Sequence, residues 1–159
     1  MPDWLVSGFS PVGLLVAILQ QAPGIVWAVH PPRDDPFARN SGTPVVEVLE
    51  KTFGIASLAL LVVVVAYVAV PSPIADLALV GSFLVLAAYY LLYVLYYRGM
   101  TTTSVLLGMA AFPPLAFVLV ATFQGNWPAI VTSVVFGGVH VRLTYVNFAL
   151  GAPAESPAD

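Results

Sequence analysis

Long apolar stretches, separated by short polar or proline-containing segments, take up most of the chain. Each is close to or longer than the roughly 20 residues with which an α-helix crosses the hydrocarbon core of a bilayer. We therefore predict an all-α polytopic membrane protein, a bundle of five transmembrane helices that forms a single domain over residues 1–159. The predicted helices cover about residues 11–29, 44–70, 74–97, 103–123 and 128–150.

Residues that start and stop helices set these boundaries. Thr43 is a good N-cap with a proline after it, and Asn126 opens the fifth helix in a similar way. Between the first two helices, the proline-rich and charged segment 30–43 is predicted to be a loop. Residues 151–159 are predicted to be a disordered tail.

Composition agrees with a lipid environment and removes several classes of function. The chain is 60% hydrophobic and only 8% charged, which is more apolar surface than a soluble domain of this size can bury. It has no cysteine, which excludes disulfides and thiolate metal sites, and its net charge of −3 comes without a basic patch for nucleic acid. The abundance of alanine, valine and proline against a single lysine favours a prokaryotic source.

The distribution of positive charge predicts which way the bundle faces. With five spans, all five lysine and arginine residues fall on one side of the membrane: Arg33, Arg39, Lys51, Arg98 and Arg142. The positive-inside rule places that side, with the C-terminus and the loop 30–43, in the cytoplasm and the N-terminus outside. We accordingly predict a multi-pass protein of the cytoplasmic (inner) membrane.

Small and polar residues mark one face of three predicted helices. On helix five they recur at spacings of 4, 3, 4 and 3: Ser133, Gly137, His140, Thr144 and Asn147. Helix one repeats this spacing and helix three carries further polar residues: Gly13, Ala17, Gln20, Gly24 and Trp27, then Ser82, Tyr89, Tyr93 and Tyr96. Because lipid cannot satisfy polar groups, such faces turn inward. We predict that helices one, three and five meet along a polar seam.

Two interpretations of this seam are open. In the first it is packing, with interhelical hydrogen bonds of about 0.6–2 kcal/mol each. In the second it is a pocket for a small molecule or a lipid headgroup, lined by Gln20, Tyr89, Tyr93, His140, Thr144 and Asn147. A histidine inside a membrane span is uncommon and suggests a functional site. Tyr96 and Tyr97 are attributed to the inner interface, where a tyrosine needs no ligand.

Arg142 follows His140 by two residues and therefore lies on a different face of the helix. Snorkelling to the cytoplasmic headgroups is the expected way in which its charge is satisfied. The alternative is an ion pair with Glu47 or Glu50 at the start of helix two.

Two resemblances bear on function. Phe136-Gly-Gly-Val-His140 is similar to the FxxxH element of the intramembrane CAAX-type proteases, which would give His140 a hydrolytic role. That family also has paired glutamates in an EExxxR element, whereas Glu47 and Glu50 are not adjacent, so we treat the match as chance. Five spans and this length also resemble the tryptophan-rich sensory/translocator proteins, which bind porphyrin-like ligands, but their aromatic signature does not occur in this sequence.

These features favour a non-enzymatic protein, either a binder of a small lipophilic ligand or an accessory or scaffold subunit. A small dimeric transporter is the first alternative, and an intramembrane enzyme that uses His140 is the second. No metal or cofactor is expected, because no complete ligand set or cofactor motif occurs. The expected partners are membrane lipid, a hydrophobic small molecule, and a second copy of the chain or a membrane partner protein.

The predicted orientation can be tested on single-cysteine variants, because the chain has no native cysteine. We expect Trp127→Cys to react with a membrane-impermeant maleimide in intact cells, since position 127 is predicted to be extracytoplasmic. Ser156→Cys in the tail should react only after the cells are permeabilised. Labelling of the tail cysteine in intact cells would overturn the topology.

Overall fold

The computed structural model describes residues 5–32, 44–66 and 72–149. In these ranges the chain is helical apart from one two-stranded antiparallel ribbon. The helices are α1 (Pro11–Val29), α2 (Pro44–Val63), α3 (Pro73–Tyr97), α4 (Thr103–Phe123) and α5 (Trp127–Ala149), and the strands are β1 (Leu5–Ser7) and β2 (Val64–Ala66). The predicted tail, most of the predicted loop and the Thr43 cap lie outside the described residues.

The prediction of five helices is confirmed, and four of them are long and apolar enough to cross a membrane: α1, α3, α4 and α5. α2 is not among them, because Glu47, Glu50 and Lys51 occupy its N-terminal half. Its apolar part, residues 52–63, rises only about 18 Å at about 1.5 Å per residue. The hydrocarbon core of a bilayer is about 30 Å thick. The count of five spans therefore stays a prediction.

α2 ends at Val63, so the predicted continuation of this helix is wrong over residues 64–66, and the rest of the predicted stretch, 67–70, lies outside the described residues. The next three residues are extended and pair antiparallel with β1. A run of valines at 62–65 favours the change, because β-branched side chains fit a pleated strand better than a helix. The hydrophobic pattern could not reveal this break, since the run stays apolar through both conformations.

The last four carbonyls of α2 have no partner within the helix, as at the end of every α-helix. The turn between α4 and α5 supplies donors to two of them. Asn126 Nδ2 donates to Leu60 O at 2.8 Å and also to Val64 O, just beyond the helix, at 2.9 Å. Gln124 Nε2 donates to Leu61 O at 3.0 Å. Both amide side chains are buried, so these bonds form in a region from which water is excluded.

The segment that precedes α1 pairs with the other two carbonyls. Gly8 N donates to Val63 O at 3.0 Å, and the amide of Ser10 donates to Val62 O at 2.8 Å. Ser10 also caps α1, because its Oγ accepts a hydrogen bond from Gly13 N at 3.0 Å. All four terminal carbonyls of α2 therefore have partners, which is the condition under which an interrupted helix is tolerated in lipid.

Asn126 is the predicted N-cap of α5, and the prediction is confirmed. Its Oδ1 accepts a hydrogen bond from Ala129 N at 3.1 Å. The preceding residue, Gly125, has a φ of +64°, a left-handed conformation that glycine adopts without strain. One amide side chain thus closes α2 and starts α5, which holds the two helix ends at the same level.

α4 is the central helix of the bundle and packs extensively against both α3 and α5. In α4, Phe117 is 1% exposed and Val120 is fully buried. α4 lies between α3 and α5, so the prediction that helices one, three and five meet along one seam is wrong for helices three and five, whereas α1 does contact α3. α4 carries no polar stripe, and helices without one still pack through close van der Waals contact, which a polar pattern does not report.

The approach of α1 to the end of α2 requires a glycine at position 13. A Cβ at Gly13 would lie 1.9 Å from Leu61 O and 2.9 Å from Gln124 Nε2. We expect Gly13→Ala to lower the free energy of unfolding by about 1–3 kcal/mol, because it displaces the donor that Leu61 O needs.

The matched control is Gly24→Ala in the same helix, where nothing lies within 4 Å of the new methyl group. This change should be neutral or stabilising, because alanine favours helix over glycine. Unfolding of both variants in detergent micelles measures the difference. Equal losses of stability would show that the space around Gly13 is not the constraint described.

Candidate ligand-binding site

A cavity of about 710 Å³ lies between the helices, at the end of the bundle away from the capped end of α2. It is bordered by the second half of α1, the first half of α2, the last turns of α3, the first half of α4 and the second half of α5. Its volume falls within the range of about 300–1,000 Å³ that is typical of small-molecule sites.

The residues that the sequence predicts as a ligand-binding set all line this cavity: Gln20, Tyr89, Tyr93, His140, Thr144 and Asn147. They come from α1, α3 and α5, which surround the cavity although α4 separates α3 from α5. α4 adds an apolar wall of Met109, Ala110 and Pro113. That these residues hold a ligand stays a prediction.

The polar centre of the cavity is a contact between His140 and Glu50. His140 Nδ1 and Glu50 Oε1 form a hydrogen bond, in which the ring nitrogen donates when it carries the proton. The two side chains are 30% and 21% exposed. The imidazole also stacks on the ring of Phe136, with ring centroids 5.1 Å apart and planes at 23°. A hydrogen bond on one side and an aromatic face on another fix the orientation of the histidine.

The same contact follows from the register of α2 against α5. The two helices run antiparallel from Asn126 and Val64, which are joined by a hydrogen bond. Ten residues away along each chain, Gly54 lies against Phe136, where a Cβ would come within 3.2 Å of the ring. Four residues further along each helix, Glu50 meets His140. The helices stay in step because both rise about 1.5 Å per residue.

Sequence reasoning missed the role of Glu50 in this site. The available signal was an acidic residue in a largely apolar helix together with a histidine within another, since charges in lipid occur mostly in pairs. Arg142 is exposed on α5, and its predicted alternative partner Glu50 contacts His140 instead. Among the described residues, the contact between His140 and Glu50 is the only one between a basic and an acidic side chain at salt-bridge distance.

α2 gives the cavity a charged wall. Glu47 and Lys51 border it together with Glu50. The side chain of Glu47 is half-buried, whereas that of Lys51 is exposed. In the sequence this stretch is predicted only as the start of helix two, and its contribution to the site comes from the packing of α2 against α5.

α3 gives the cavity an aromatic wall. The rings of Tyr89, Tyr93 and Tyr96 form a row with edge-to-face contacts, at centroid distances of 5.5 Å and 6.2 Å. Tyr96 lines the cavity and is only 2% exposed, so its ring packs inside the bundle, and its position at the level of the inner interface stays a prediction. Tyr97 is exposed and donates to His30 O at 3.0 Å, which ties the end of α3 to the end of α1.

Gln20 presents an unsatisfied acceptor at this site. Its Oε1 is buried and has no hydrogen-bond partner among the described residues. Leaving a buried acceptor unpaired costs about 1–3 kcal/mol, which a bound donor can recover. Ser133 Oγ is also buried without a partner, but Ser133 is not among the residues that border the cavity. The prediction that Ser133 faces protein is confirmed by its full burial.

A second cavity of about 330 Å³ adjoins the first. Both are bordered by Gln20, Glu50, Lys51 and His140. The second extends along α2 towards Leu58, between α1 and α5. The pair of His140 and Glu50 therefore stands at the boundary of the two spaces.

Within the described ranges, no three histidine, aspartate or glutamate side chains gather into a group that could hold a metal ion. Comparison with protein-family models, with curated proteins and with solved structures finds no match to this chain. The chemistry of the cavity itself is therefore the guide to function.

The coupling between His140 and Glu50 can be measured in a double-mutant cycle. We expect Glu50→Ala and His140→Ala each to destabilise the protein, because each leaves a partly buried polar group without its partner. The double variant should lose about 0.5–3 kcal/mol less than the two single losses added together.

The control cycle pairs Glu50→Ala with Arg142→Ala, whose effects should add, because these residues do not form a salt bridge in the structure. Unfolding in detergent micelles provides all the free energies. Additivity of the first cycle, or coupling in the second, would contradict the described geometry.

Proposed function

We propose that this chain is an integral membrane protein that binds a small lipophilic ligand carrying a polar group, without transforming it chemically. The observation that carries the proposal is the cavity of about 710 Å³, on which polar residues from α1, α2, α3 and α5 converge. Packing alone does not require this much open space, since protein interiors are close-packed with few voids.

The membrane location is supported by the outer surface of the bundle. Four helices are compatible with membrane spans, and on α3 the side chains of Ile74, Leu77 and Leu84 are 72%, 71% and 67% exposed. Lipid is the solvent that accepts such a surface without cost. By the positive-inside rule the cavity faces the cytoplasmic leaflet of the inner membrane, because Lys51 and Arg98 lie at its end of the bundle.

The walls of the cavity suit an amphiphile. Met109, Pro113 and Leu143 offer apolar contact, while the charged residues of α2 lie at the other side. A ligand with an apolar body and a polar head would satisfy both kinds of wall. An enzymatic role for His140 would use its Nε2, since its Nδ1 contacts Glu50; it has less support because no serine or cysteine nucleophile is among the described residues that border either cavity.

A small transporter, working as a dimer, is the second candidate. The adjoining cavities favour it, because the pair of His140 and Glu50 at their boundary could separate two positions of one ligand. Substrate flux into proteoliposomes distinguishes transport from binding alone. An accessory or scaffold role predicts neither flux nor a retained ligand.

Native mass spectrometry of the protein, purified in mild detergent, tests the proposed binding. We expect a discrete small-molecule adduct on the wild type that His140→Leu reduces strongly, because this change removes the polar centre of the cavity. Thr132→Val is the matched control on α5, since Thr132 bonds to Pro128 O within its own helix and does not border the cavity.

The free energies of unfolding of His140→Leu and Thr132→Val should lie within about 1–2 kcal/mol of the wild-type value if the polar seam contributes only ordinary hydrogen bonds to stability. Equal adducts on the wild type and on His140→Leu would refute binding at this site. A wild type without any adduct, in several detergents, would favour the scaffold role.

A further inference from the structure

We propose that the ligand is an organic cation, whose positive group is held between the tyrosine row of α3 and the carboxylate of Glu47, and whose apolar body lies against α4. This inference rests on the proposed function, namely that the cavity holds a ligand. It adds the charge of the ligand and the residues that recognise it.

The first argument is the aromatic wall. Tyr89, Tyr93 and Tyr96 line the cavity from α3, and Trp27 lines it from α1. In each neighbouring pair of the tyrosine row the ring planes cross steeply, at 73° and 71°, so the rings point in different directions. Aromatic faces carry negative potential and attract cations within about 6 Å of the ring centre, and tryptophan and tyrosine are the strongest of them.

The second argument is the carboxylate of Glu47. This side chain borders the cavity and is half-buried, and among the described residues it has no salt-bridge partner. Glu50, one turn further along α2, is already engaged with His140. An incompletely solvated carboxylate is stabilised by a cation placed beside it, more than by a neutral donor, and it repels an anionic ligand.

The third argument is the balance of donors and acceptors. Gln20 Oε1 is a buried acceptor without a partner at the cavity wall. Lys51 is the lysine that borders the cavity, and its exposed side chain is free to reach water or lipid headgroups. The unpaired acceptor and the aromatic rings of the wall complement positive charge, while its hydroxyl and amide groups can both donate and accept.

The volume and the apolar wall set the rest of the ligand. About 710 Å³ is more than a bare ammonium or metal ion fills, and Met109, Ala110 and Pro113 provide no polar partner for a hydrophilic body. A positive group on an apolar body of drug-like size uses the whole space. The class is that of lipophilic amines and related onium compounds.

Two probes of equal shape and opposite charge test whether the site prefers a cation to an anion. Tetraphenylphosphonium and tetraphenylborate differ mainly in charge, so shape and apolar area cancel in the comparison. We expect saturable binding of tetraphenylphosphonium to the purified protein in nonionic detergent, and binding of tetraphenylborate no greater than that of protein-free micelles. Equal saturable binding of both probes, or a preference for tetraphenylborate, would overturn the inference.

Variants of the two walls locate the recognition. Glu47→Gln should weaken tetraphenylphosphonium binding by about tenfold, because it removes one partly desolvated charge contact. The matched control is Asp76→Asn, the same loss of one negative charge at an exposed position in the first turn of α3, at the opposite end of that helix. It should leave binding unchanged. Equal effects of the two variants would mean that only net charge matters, which overturns the proposed site.

The aromatic contribution is separated from hydrogen bonding at Tyr93. Tyr93→Phe keeps the ring and should retain tetraphenylphosphonium binding, whereas Tyr93→Leu should weaken it several-fold. Thermal unfolding of each variant checks that the fold is kept. If phenylalanine is as damaging as leucine in a folded protein, the ring face is not the recognising element and the proposal fails.

The failure of this inference can be told apart from the failure of the proposed function. If a natural adduct depends on His140 but tetraphenylphosphonium does not bind, the proposal of a cationic ligand is overturned and the proposal of ligand binding stands. If neither the adduct nor either probe binds, both proposals fail.

Discussion

The structure depends on the pairing of backbone carbonyls where α2 stops. Lipid offers no hydrogen bonds, so a helix can end inside an apolar bundle only if protein groups take over its last carbonyls. Asn126 and Gln124 do so from the turn between α4 and α5, and the backbone before α1 does the rest. Three parts of the chain that are distant in sequence thus meet at the end of α2, where donors from two of them pair with the carbonyls of the third.

This junction determines the geometry of the cavity at the other end of the bundle. Since Asn126 joins the end of α2 to the start of α5, the two helices run antiparallel in a fixed register. The register brings Gly54 against Phe136 and Glu50 against His140. The charged N-terminal half of α2 becomes a wall of the cavity because the C-terminal end of the helix is held by hydrogen bonds from Gln124, Asn126 and the segment before α1.

The candidate site joins an apolar and aromatic surface to a charged one. α3 contributes tyrosine rings and α4 contributes apolar side chains, while α2 contributes carboxylates that lipid alone would not tolerate. Glu50 is matched by His140. Glu47 borders the cavity without a salt-bridge partner among the described residues. This difference between the two glutamates is the reason for proposing a positively charged ligand.

The sequence by itself determined the helices and most of the polar residues of the site. Caps, prolines and apolar length placed α1, α3, α4 and α5 within one residue of their observed ends. Of the residues with 4-3-4-3 spacing, those in the cytoplasmic half of the predicted seam line one cavity: Gln20, Trp27, His140, Thr144 and Asn147. Both signals are local, since they depend on helix period and on the cost of polar groups in lipid. Only the tertiary structure decided where α2 breaks, that α4 lies between α3 and α5, and that Glu50 pairs with His140. These features depend on partners far apart in the chain, and an unbroken apolar run carries no information about which of its residues will meet them.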